Sequence, residues 1–169
     1  MVTFSDVLAA IDESAPFKLQ EEYDNSGLLV GELDTPLRGT LVCMDVTEAV
    51  VAEAIGRGCN LIVSHHPLIF HSLKSLRGDT ERSRAIILAL RAHVGILAAH
   101  TNLDAAYGGV NYAIAQKIGL TPQQVLAPTL SGEGGTGIGL IGTLSTGFSE
   151  EEFLIYIARK FPQQPCLRY

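Results

Sequence analysis

The sequence predicts an α/β protein, a mainly parallel sheet with helices on both faces. Two observations carry that prediction. The segments Thr40–Val46, Leu61–Ser64 and Val94–Ala99 are almost continuously apolar instead of alternating, and helical patterns separate them. Strands of that kind, joined through helices, belong to a parallel sheet buried on both sides and linked by right-handed crossovers.

Each element can be justified in turn. Phe4, Val7, Leu8 and Ile11 fall at i, i+3, i+4 and i+7 behind Thr3, with Asp6 three residues on, so a capped amphipathic helix is expected to end before Pro16. Tyr23-Asp24-Asn25-Ser26-Gly27 reads as a turn, and Leu28–Gly31 as a short strand. After the buried strand Thr40–Val46, a helix is expected over Glu48–Arg57, ended by Gly58. The strand Leu61–Ser64 is followed by a helix over Glu81–Ala92 that carries Ile86, Ile87 and Leu90. Behind the strand Val94–Ala99, a further helix runs from about Val110 to Lys117 and stops at Gly119. Beyond Thr121-Pro122 the composition changes: Gly132, Gly134, Gly135, Gly137, Gly139 and Gly142 crowd together as a flexible join or a glycine-rich strand. Ser149 with Glu152 forms a capping box for a helix whose stripe is Phe153, Leu154, Ile157 and Phe161. Pro165–Tyr169 reads as the entry to another strand, so the protein is expected to continue past this chain.

Composition narrows the function. The 169 residues are about one domain's worth, and 47% hydrophobic against 18% charged residues supports a packed core. Twelve basic against eighteen acidic residues leave a formal charge of −6, which offers no field for a nucleic-acid backbone. The apolar run Ala85–Leu90 is far too short to span a membrane, and the N-terminus lacks the pattern of a secretory signal, so a cytoplasmic protein is expected. Cys43, Cys59 and Cys166 form no CxxC pair and are expected as buried reduced thiols.

The chemistry should sit beyond the carboxyl ends of the strands, where open α/β sheets bind ligands. Those ends carry Asp45 and Thr47, Ser64-His65-His66-Pro67, and His100-Thr101-Asn102-Leu103-Asp104. Imidazole with carboxylate suits zinc, iron, manganese or nickel, whereas calcium and magnesium prefer oxygen throughout. Adjacent residues on a strand point to opposite faces, but where the strand opens into a loop His65 and His66 can splay towards two ions, with Asp104 serving one or bridging both. Two ions roughly 3.5–4 Å apart would support metal-assisted hydrolysis. Plainer roles stand beside these: His-His-Pro as a strand-ending turn, Asp45 and Asp104 as helix caps, and His100 as a buried polar group, a partner of a ligand or an acid/base. His71 and His93 read as non-functional, Gly108-Gly109 as a turn that could also face a phosphate, and Asp24-Asn25-Ser26 as a turn.

Three stretches together resemble the Nif-three-like family, whose members are known as GTP cyclohydrolase I type 2 homologues. They are Asp24–Gly31, Ser64–Phe70, and Ala99–Ala106 followed by Gly108-Gly109-Val110-Asn111, in that order within roughly residues 1–125. The resemblance implies a dinuclear centre with His65, His66 and Asp104 as metal ligands; on the enzyme reading of that centre His100 is the expected residue for proton transfer. It implies further ligands, a histidine and a glutamate, on a motif past Tyr169, and assembly as a homo-hexamer. The implied function is a metal-dependent hydrolase of a small, nucleotide-like substrate, of the GTP cyclohydrolase I type 2 kind. A non-catalytic metal-binding or protein-interaction protein and a metal-dependent phosphoesterase are the alternatives. On this reading residues 1–127 form the α/β metal-binding domain, and 128–169 begin a second, incomplete α/β region.

Overall fold

The computed structural model describes residues 1–129 and 134–162; Cys166 and the strand entry at 165–169 lie outside them. The chain divides into two compact units, Met1–Ala106 and Tyr107–Tyr169. The sequence places the division after residue 127, where composition shifts. It falls earlier because the helix over Val110–Ile118 packs against the strands that follow it.

The first unit is a four-stranded sheet in the order β1-β4-β3-β2, from Gly27–Val30 (β1), Thr40–Cys43 (β2), Leu61–Ser64 (β3) and Gly95–Ala98 (β4). The last three are parallel and paired without interruption, with β1 antiparallel against β4. Helices Glu48–Gly56 (α2) and Glu81–Arg91 (α3) cross over between them. Successive right-handed crossovers that step the same way across a sheet leave both helices on one face, and α2 and α3 do pack together there. Val51, Ala54, Ala85, Ile86 and Ala89 from these helices meet Ile62 and Ile96 from the sheet.

Side chains alternate along each strand, so Leu61, Val63 and Leu97 face the other way. There they meet Phe4, Val7, Leu8 and Ile11 of α1, Phe4–Ser14. The free N–H groups that open α1 are satisfied from outside the helix, Phe4 donating to the Thr35 carbonyl at 3.0 Å and Ser5 to that of Leu33 at 2.9 Å. This cover does not reach β2. The sequence reads β2 as a buried strand, but it is the sheet's edge, and Val42, on the α1 face, is 76% exposed.

The second unit pairs Leu120–Pro128 (β5) antiparallel with Gly137–Leu144 (β6), with α5 (Val110–Ile118) against the strands and α6 (Glu150–Lys160) against α5. The sequence pattern does not reveal β5, because Pro122 and Pro128 disqualify an ordinary strand. Pro122 sits at a register shift, where a missing N–H breaks no ladder bond. The glycines of β6 answer to close approach: a Cβ on Gly137 would lie 2.2 Å from the Ala127 carbonyl oxygen, and one on Gly142 2.2 Å from that of Thr121. Ser149 and Glu152 form the expected capping box, and the Tyr156 hydroxyl donates to the Ile118 carbonyl at 2.8 Å. Among the described residues no helix is long and apolar enough to cross a membrane.

Candidate metal centre

The parallel strands end in one row. His65 N–H donates to the Cys43 carbonyl and His66 N–H to that of Met44, which carries the β2–β3 pairing two residues past β3. Ala99 N–H donates likewise to Ser64. The Ser64 hydroxyl then donates to the His66 carbonyl at 2.9 Å and closes a local turn. That turn brings His65 and His66 onto the same side, with ring centroids 5.0 Å apart and planes tilted by 48°. From the end of β4, His100 places its ring 5.1 Å from His65 and 5.6 Å from His66. One ring nitrogen from each of the three lies within 4.8 Å of the others.

The hydrogen bonds of the three imidazoles select their tautomers. His65 Nδ1 lies 3.0 Å from the Ala99 carbonyl oxygen, His66 Nδ1 2.8 Å from Asp45 Oδ1, and His100 Nδ1 2.8 Å from Asp24 Oδ1. All three partners are acceptors, so Nδ1 carries the proton, and in the neutral ring Nε2 keeps its lone pair. This is the arrangement in which metal-binding histidines are held by the groups behind them. Asp104 adds a carboxylate oxygen 3.7 Å from His65 Nε2. Three imidazoles and a carboxylate fit a borderline divalent ion such as zinc, iron, manganese or nickel.

Behind His100 lies a residue whose role spacing cannot show. The Asp24 side chain is wholly buried. It accepts from His100 Nδ1, the N–H groups of Asn25 and Thr101, and the hydroxyls of Ser26 and Thr101. Burial pushes its carboxyl up, but the Thr101 hydroxyl, His100 and the two N–H groups outweigh that and bring it down to about 2. An ionised carboxylate is thereby fixed against the imidazole. The turn read at Asp24-Asn25-Ser26 falls earlier, where Asp24 N–H donates to the Glu21 carbonyl at 2.9 Å, and the signal at Asp24 is its carboxylate, which meets a histidine 76 residues away.

The structure corrects two smaller readings. Asp45 does not cap α2; Thr47 does, accepting from Val50 N–H, while Asp45 holds His66. Asp104 does not cap α5, whose N-cap is Gly109; it lies within the short helix Thr101–Ala105 beside His65. His71 is exposed and packs edge-on against Phe70, and His93 is exposed at the end of α3, far along the sheet from the histidine row. Of the cysteines, Cys43 and Cys59 are free thiols, and burial with the Asp45 charge pushes the Cys43 thiol up, which keeps it protonated.

Comparison with known proteins adds three findings. A sequence model of the Duf34/NIF3 (NGG1p interacting factor 3) family matches residues 2–169. Proteins called GTP cyclohydrolase 1 type 2 homolog are similar in sequence. The one from Halalkalibacterium halodurans is 45% identical over 73% of this chain and 33% of its own length, and the one from Clostridium acetobutylicum 31% identical over 97% and 61%. The crystal structure of a Staphylococcus aureus hypothetical protein superposes with a TM-score of 0.87 at 27% identity, over 98% of this chain and 66% of that one. The chain thus spans between one third and about three fifths of the length of these curated relatives.

Proposed function

Because the chain belongs to the Duf34/NIF3 family, we propose that it holds the metal centre of a dinuclear metal-dependent hydrolase acting on a nucleotide-like small molecule, of the GTP cyclohydrolase 1 type 2 kind. The observation that supports this most is the common state of His65, His66 and His100, each with Nδ1 bound to an acceptor and Nε2 left with its lone pair. His65, His66 and Asp104 are the proposed ligands. Divalent ions bound there would supply a water of lowered pKa and positive charge for a developing oxyanion. His100, fixed by the buried Asp24, takes and returns a proton at Nε2, as a histidine backed by a carboxylate does in other hydrolases. The names of the relatives point to a guanine nucleotide.

The closeness of all three imidazoles favours a second reading of one residue, in which His100 is a third nitrogen ligand. Metal content by elemental mass spectrometry separates the roles. About two ions per chain are expected, lost in His65→Ala/His66→Ala. His100→Ala should keep the ions and stop formate release from GTP if the residue moves protons, and should lose an ion if it is a ligand. Unchanged metal content in the double variant would refute the centre. Phosphate released instead of formate would point to a phosphoesterase, and bound metal without turnover to a non-catalytic protein.

A further inference from the structure

A row of aromatic rings runs outward from the histidine cluster. Phe70 lies 6.2 Å from His100, ring centroid to centroid, with the planes at 85°, and Tyr23 lies 6.3 Å beyond Phe70 at 56°. His71 packs against Phe70 at 4.8 Å. Neither Tyr23 nor Phe70 belongs to the hydrophobic clusters on the two faces of the sheet, and Tyr23 is 65% exposed. Both rings thus stand outside those two clusters, with Phe70 half-buried.

Both segments are nevertheless held in place. Asn25 Nδ2 donates to the Ile69 carbonyl at 2.6 Å, tying the turn that carries Tyr23 to the loop that carries Phe70. Asp24, next to Tyr23, is bound to His100 and Thr101. The hydrogen bonds that orient His100 thus also fix the two main-chain segments that carry the rings, so less chain freedom is lost when a ligand stacks there.

We propose that Tyr23 and Phe70 form a stacking wall that receives the planar heterocycle of the substrate, a nucleobase, beside His100. The proposal rests on the reading of the histidine cluster as the reacting centre. Aromatic side chains hold bases by their π-faces and tolerate different bases, whereas a sugar phosphate has no such face to offer. The wall therefore selects substrates by ring and leaves the phosphate chain unread.

The chain contains no tryptophan, so Tyr23→Trp creates a single fluorescent reporter on the exposed face. Guanosine should quench it saturably, with and without zinc, and ribose 5-phosphate should not. In calorimetric titrations Tyr23→Ala should bind guanosine about tenfold or more weakly than the natural chain, the range expected for one lost stacking partner, at unchanged zinc content. Equal guanosine affinity in Tyr23→Ala, or equal quenching by ribose 5-phosphate, would overturn the wall. Zinc uptake without guanosine binding would overturn the wall and leave the metal centre standing. Failure to take up zinc would remove the metal centre, and guanosine quenching of the zinc-free chain would then decide the wall alone.

Discussion

Asp24 shows how much one residue can govern here. Its carboxylate has no access to water and is held by five donors, so replacing an oxygen with an amide nitrogen sets a donor against an N–H or hydroxyl that already points inward. Asp24→Asn should destabilise the chain by about 2–3 kcal/mol at pH 7, read from urea unfolding. The loss should also depend on pH. The carboxyl titrates at about 2 when folded against an ordinary 3.8, so as pH falls the unfolded chain takes up the proton first. Stability from this difference, about 2 kcal/mol, is complete above about pH 4 and lost as pH drops towards 2. The gap between natural chain and variant should therefore narrow over that interval; a constant gap would show that Asp24 does not act through its charge. His65, His66, His100 and Asp104 were legible in the sequence because each follows a recognisable strand. Asp24 was not, because its partner lies far along the chain and a short acidic turn has a local explanation of its own.

At the scale of the element, α2 and α3 end alike but with different residues. After α2 the N–H of Gly58 returns to Ile55 and that of Cys59 to Ala54; after α3 the N–H of His93 returns to Leu90 and that of Val94 to Ala89. Both are Schellman endings, which call for a left-handed residue. Gly58 supplies one at φ 72°, but His93 adopts φ 55° with a side chain. Relief of that strain outweighs the extra freedom glycine brings to the unfolded chain, so His93→Gly should stabilise the protein by about 0.5–1 kcal/mol in chemical denaturation. Gly95 makes the opposite case. A Cβ there would lie 2.4 Å from the ring of Phe4, which is buried between α1 and the sheet. Gly95→Ala should cost about 1–3 kcal/mol, and Phe4→Leu in the same chain should cost less on top of it than alone, because the clash is already relieved. The five longer helices, the capping boxes at Thr3 and Ser149 and the strands of the four-stranded sheet were legible in the sequence, whereas the short helix Thr101–Ala105 and the caps of α2 and α5 were not. Nor were the exposure of β2 and the existence of β5, since an edge differs from a centre only by its neighbours, and Pro122 conceals a strand whose register shift accommodates it.

The α/β class of the whole molecule was legible because a parallel sheet must be apolar on both faces, and that requirement is written into consecutive residues. The division at Ala106 was not, because it depends on which strands α5 meets. The two hydrophobic clusters of the first unit are built mainly from helices and strands, with Val46, Leu68 and Val94 added from the adjoining loops, whereas the histidines stand past the strand ends. Folding of that unit should therefore not need the metal, unlike small domains in which bound zinc replaces a core. Any ion that binds only the folded chain must still raise its stability in proportion to the logarithm of its free concentration over its dissociation constant. Zinc at about a hundred times that constant should thus stabilise the chain by about 2.7 kcal/mol for each ion bound, and a chelator should remove that increment while the far-ultraviolet circular dichroism stays native. His65→Ala/His66→Ala should unfold at the midpoint of the chelated natural chain and fail to respond to zinc. If chelation unfolded the chain, or if the double variant were still stabilised by zinc, either the independence of the core or the location of the ions would have to be abandoned.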